Sequence, residues 1–76
     1  MRAILQTIVE SLVDVPKEVR ITEIEGDKTV IFELRCNVKD IGKIIGKSGK
    51  TVGAIRILLN AIAAKQGRKA MLEVVD

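Results

Sequence analysis

The stretch "DIGKIIGKSGKTVGAIR" (positions 40–56) constrains this chain more than any other: a Gly46-Lys47-Ser48-Gly49 turn separates two isoleucine-bearing runs. Glycine is a poor helix-interior residue, so the pair stops a helix. The apolar periodicity then resumes, which requires two helices meeting at a corner. Such a corner suits a phosphate chain. Without β-carbons the two glycines let a sugar-phosphate backbone approach closely, and the N–H groups at the positive end of a helix starting near Lys50 face it. Lys47 and Lys50 add charge on the same rim. A nucleotide phosphate loop uses the same Gly-Lys-Ser triplet, but its spacing demands glycine at position 41, which is isoleucine here, and a preceding strand.

The other elements follow in order. Ile4, Leu5, Ile8, Val9, Leu12 and Val13 form one helical stripe over residues 2–14, which Pro16 ends. Residues 18–24 are rich in β-formers. Residues 29–36 alternate Val30, Phe32, Leu34 and Cys36 with Glu33 and Arg35, and an Glu-Gly-Asp-Lys turn joins the two as a hairpin. Asn37 has the chemistry of a helix N-cap with Asp40 three residues on, predicting a short helix over 38–45 that buries Ile41 with Ile44 or Ile45. A longer helix over 50–66 stops at Gly67, and 69–75 is a last strand. The order is α-β-β-α-α-β. A right-handed crossover sets the last strand parallel to the second, giving an α+β domain: a three-stranded mixed sheet with three helices on one face.

Composition narrows the function. The chain has no histidine and no tryptophan or tyrosine, and one cysteine. No catalytic constellation or metal-ligand cluster is visible, so no enzymatic activity and no cofactor are expected. No apolar run reaches the roughly 20 residues of a membrane span, no signal peptide is recognisable, and a lone cysteine fits a cytoplasmic protein. Charge is lopsided. Residues 1–34 hold four basic and seven acidic side chains, whereas 35–76 hold nine and three. Between Ile41 and Leu72 there is no carboxylate. An anionic partner on that half, or simply a solvated basic face, accounts for the pattern.

The motif "IIGKSGKTVGAIR", with Val52 three positions after Gly49, closely resembles the signature of a KH domain, and the element order resembles its type II topology. The resemblance covers residues 1–76 as a single domain, similar in size to the small bacterial single-KH RNA-binding proteins of the KhpA family. It implies a clamp of Gly46, Lys47, Ser48 and Gly49 on about four nucleotides of single-stranded RNA. Ile41, Ile45 and Val52 then line an apolar floor for bases, or are ordinary core. Lys43, Lys50 and Arg56 are phosphate contacts or plain surface, and Arg35 faces bases from the groove's other wall. The resemblance also implies an RNA chaperone or post-transcriptional regulator linked to cell-wall homeostasis and cell length. Such proteins self-pair and pair with a larger KH-containing protein.

The long helix has a second apolar side. Val52, Ile55, Leu59 and Ile62 form the stripe expected to face the sheet; Gly53, Ala54, Ile57, Ala61 and Ala64 lie nearly opposite. Small residues around one isoleucine let another helix approach closely, so Ala54, Ile57 and Ala61 are the expected dimer contact. An adaptor that works chiefly through this face is the alternative to an RNA clamp.

Overall fold

The computed structural model describes residues 1–75. Helix α1 (Arg2–Leu12) leads through a 3₁₀ turn at Pro16–Glu18 into β1 (Arg20–Glu25) and β2 (Thr29–Arg35). A second 3₁₀ turn at Val38–Asp40 opens α2 (Ile41–Ile45), a third at Lys47–Gly49 precedes α3 (Lys50–Lys65), and β3 (Lys69–Val75) closes the fold. Strand order is β1-β2-β3, β1 antiparallel and β3 parallel to the central β2. The architecture is the α+β arrangement expected from the pattern, and the order of its elements is that of a type II KH fold.

The core lies between the sheet and the helices. Phe32, Leu34 and Val30 of β2 are fully buried, and Ala70 and Leu72 of β3 nearly so. Leu5 and Val9 of α1, Ile44 of α2, and Val52, Ile55, Leu59 and Ala63 of α3 cover them. Each buried large aliphatic or aromatic side chain contributes roughly 1.5–3 kcal/mol, so one chain of this size depends on all of them.

Several boundaries and faces differ from the pattern-based expectation. α1 ends at Leu12 because Val13 is extended (φ −98°, ψ 159°), leaving Asp14 and Val15 outside the helix ahead of Pro16. Its stripe is wider than its contact: Leu5 and Val9 are buried, whereas Ile4 (49%) and Leu12 are exposed. The expected helix over 38–45 begins as a 3₁₀ turn, and only Ile44 of its three isoleucines is fully buried. On α3, Ala63 rather than Ile62 completes the buried stripe: Ala63 is fully buried and Ile62 only half-buried. Cys36 packs at the margin of the core and donates its S–H to the Asn37 carbonyl (3.4 Å); burial pushes its thiol pKa up.

Candidate nucleic-acid interface

The corner between α2 and α3 turns on three residues of positive φ. Gly46 (φ 75°, ψ 173°), Ser48 (φ 56°, ψ 28°) and Gly49 (φ 72°, ψ 14°) all have positive φ. A β-carbon on Gly46 would lie 2.2 Å from Thr51 Oγ1 and 2.9 Å from Thr51 N. Glycine is thus required there twice, by the dihedrals and by the packing of the α3 first turn. Gly49 has open space where its β-carbon would stand, so only its backbone conformation favours glycine.

This geometry decides which amides are open. Gly46 N–H donates to Gly42 O (2.9 Å), Gly49 N–H to Gly46 O (3.2 Å), and Lys50 N–H to Lys47 O. Lys47 and Ser48 are the first two residues of this 3₁₀ turn, so their N–H groups have no acceptor within it, and no side chain caps it. Both residues are exposed. Behind them α3 begins at Gly49 with no capping side chain and no acidic residue in its first turn, so its positive end is uncompensated. The turn therefore presents two backbone donors, an open helix terminus and the Lys47 and Lys50 ammonium groups to one side.

The remaining residues singled out by sequence are distributed unevenly around this centre. Ile41 is half-buried and Ile45 is 37% exposed, leaving aliphatic surface beside the turn. Val52 is only 6% exposed and belongs to the core beneath. Arg56 turns along the free edge of β3, where Nη2 donates to Leu72 O (3.0 Å), and Asn60 beside it accepts from Ala70 N–H (3.1 Å). The two side chains occupy main-chain groups at the outer edge of a parallel strand and line a shallow cavity of about 250 Å³ with Ala70, Met71 and Leu72. Arg35 is exposed, and the pleat sets it on the face of β2 opposite Leu34, away from the helices and the turn. Lys43 is held in ion pairs with Asp14 and with Asp40 Oδ1 (3.6 Å), which raise its pKa, the Asp14 hydrogen bond most.

Asp40 was legible only as a capping residue. Asn37 does accept from Lys39 N–H (2.9 Å), but the Asp40 carboxylate looks elsewhere. It is 1% exposed and accepts from Asp14 N–H and Val15 N–H, 3.1 Å each, the two amides stranded when α1 stops. Burial pushes its pKa up, yet the two backbone donors and Lys43 outweigh that and hold it below the ordinary carboxylate value. No local spacing signals a bond between residues 25 and 26 positions apart. The long helix leaves Ile57 (72%) and Leu58 (52%) exposed beside Ala54 and Ala61; Leu58 escaped the sequence pattern because it stands between the two stripes.

The sequence model of the KhpA/KhpB KH domain matches residues 2–74. The chain belongs to that family. Its KH domain is 40% identical over 75 residues to the RNA-binding protein KhpA of Clostridium acetobutylicum, covering 99% of this chain and 100% of that one. It is 49% identical over 73 residues to the KhpA protein of Borreliella burgdorferi (96% and 89% covered) and 46% identical over 76 to that of Chlamydia pneumoniae (100% and 97%). No solved structure gives a significant match. The matched span takes in the whole α2–turn–α3 unit.

Proposed function

We propose that this KH domain is a non-catalytic single-stranded RNA-binding protein that grips the phosphate backbone with its Gly46–Gly49 turn. One observation carries the reading: the Lys47 and Ser48 amides, at the head of an uncapped 3₁₀ turn, lie just before an uncapped helix N-terminus with two lysines on the rim. Gly49 leaves room for the strand, Lys50 adds a phosphate contact, and Arg56 extends positive charge along the β3 edge. Ile41 and Ile45 floor the slot, with Val52 supporting them from the core. The relatives' shared description as RNA-binding proteins supports the same ligand. Titration with an unstructured oligoribonucleotide at low ionic strength tests it. The Lys47 and Ser48 amide resonances should move most, and affinity should fall steeply with salt. Unmoved amides refute the clamp.

A lone site of about four nucleotides binds weakly, so pairing of two domains is part of the proposal. Exposed Ile57 and Leu58, flanked by Ala54 and Ala61, favour self-association through α3, or association with a larger KH-containing protein through the same face. An adaptor function through this surface is the second reading. We further propose, on the strength of the resemblance, that residues 1–76 act as one domain in a cytoplasmic RNA chaperone or post-transcriptional regulator affecting cell-wall homeostasis and cell length. No helix among the described residues is long and apolar enough to cross a membrane.

A further inference from the structure

Lys43 lies one helical turn before Lys47 and resembles, from sequence, one more phosphate contact. The structure gives it a different occupation. Its ammonium pairs with the Asp14 carboxylate and lies 3.6 Å from Asp40 Oδ1. The arrangement is built rather than incidental. Asp40 is buried and holds the main-chain amide of Asp14 itself, so the Asp14 side chain is anchored beside Lys43 by the same carboxylate that needs Lys43 as a counterion. Two carboxylates around one ammonium leave a net charge of −1 at the α1 side of α2, next to a turn whose other rim carries Lys47 and Lys50.

We propose that Asp14 limits RNA affinity by occupying Lys43, so that it sets the edge of the RNA track: phosphates follow the turn toward α3 and β3 and are turned away from α1. This rests on the clamp reading above. The Asp14–Lys43 pair is open to solvent (75% and 44% side-chain exposure), so it is weak enough to be exchanged. Asp40 behaves differently. It is buried and accepts from two main-chain amides, which Asp14→Asn leaves in place. Asp14 is therefore a determinant of how many phosphates the domain engages, whereas Asp40 positions α2 and with it the turn.

The test is Asp14→Asn, which removes the competing charge and retains the main-chain amide that Asp40 accepts. Binding of an unstructured oligoribonucleotide is measured across a salt series for the unchanged chain, Asp14→Asn, Lys43→Ala, the Asp14→Asn/Lys43→Ala double variant, and a Lys47→Asp/Ser48→Asp control. Asp14→Asn should bind roughly two- to fivefold more tightly at low salt. Its plot of log affinity against log salt should steepen by about 0.7, one further phosphate on a single strand. Lys43→Ala should abolish that gain, so the double variant binds no better than Lys43→Ala alone. A gain of equal size in the Lys43→Ala background shows a general charge effect and overturns the proposal, as does an unchanged slope in Asp14→Asn. Either result leaves the clamp standing if the unchanged chain binds and the Lys47→Asp/Ser48→Asp control does not. Absence of salt-dependent binding by the unchanged chain overturns the clamp and this inference together.

Discussion

Replacing the two turn glycines by alanine separates what the corner does for folding from what it does for binding. At Gly46 (φ 75°, ψ 173°) the backbone occupies a region that is essentially glycine-only, which costs an alanine about 1–3 kcal/mol. The new β-carbon would also stand 2.2 Å from Thr51 Oγ1, 2.6 Å from Thr51 Cβ and 2.9 Å from Thr51 N. Rotating the hydroxyl away relieves the first contact only, so the first turn of α3 must shift, and overpacking of this kind adds about 1–3 kcal/mol. The sum, about 2–6 kcal/mol, is a large part of the 5–15 kcal/mol that holds a small domain folded. At Gly49 (φ 72°, ψ 14°) the backbone is ordinary left-handed helix and the β-carbon meets nothing within 4 Å, so alanine costs about 1–2 kcal/mol. Thermal unfolding followed by circular dichroism should place Gly49→Ala about 4–16 °C below the unchanged protein, at roughly 4–8 °C per kcal/mol, and Gly46→Ala lower still. Adding Thr51→Ala to Gly46→Ala should recover only a minor part, because the contacts to Cβ and N remain. The order reverses for binding per folded molecule: the β-carbon on Gly49 points into open space where the strand would pass, so Gly49→Ala should weaken RNA binding while staying folded. Equal destabilisation by the two alanines, within about 0.5 kcal/mol, would refute the steric account of the turn.

Three further outcomes are expected. Lys47→Asp with Ser48→Asp should abolish binding to single-stranded RNA and leave the unfolding temperature nearly unchanged, since both residues are exposed; loss of the folded spectrum would show that the turn is structural first. Sedimentation at tens of micromolar should find the unchanged chain self-associated and Ile57→Glu monomeric, and a monomeric unchanged chain ends the pairing proposal. Asp40 should make stability acid-sensitive: its pKa is depressed in the folded state, so its contribution is complete above the unfolded value of about 3.9 and is lost as pH falls through the lower folded value. Unfolding curves collected down the acid range should show this decline, and Asp40→Asn, already less stable at neutral pH, should show a shallower one.

Much of the fold could be read from spacing because it depends on local chemistry. Pro16, Gly67 and the Gly46/Gly49 pair punctuate the chain by dihedral preference, and the alternation of Val30, Phe32 and Leu34 reports a face of β2 whatever packs on it. The legible part of the candidate site has the same origin, since a turn of two glycines and two polar residues carries its geometry with it. What escaped depends on distant partners. Lys43 read as a free cation because Asp14 is 29 residues away, and Asp40 as a cap because its true donors are 25 and 26 residues off. Arg56 read as a phosphate contact, yet part of its guanidinium is bound to Leu72 O, 16 residues on.

By itself, then, the amino-acid order determined the elements, their succession and the position of the glycine corner between α2 and α3, because those follow from preferences that act within a few residues. Tertiary structure alone decided which charges of that corner are available. It also decided that Ala63 and not Ile62 completes the buried stripe, and that Ile57 and Leu58 are left uncovered. Each of these depends on which atoms meet across the fold, and electrostatic pairing and burial are properties of distance in space rather than along the chain.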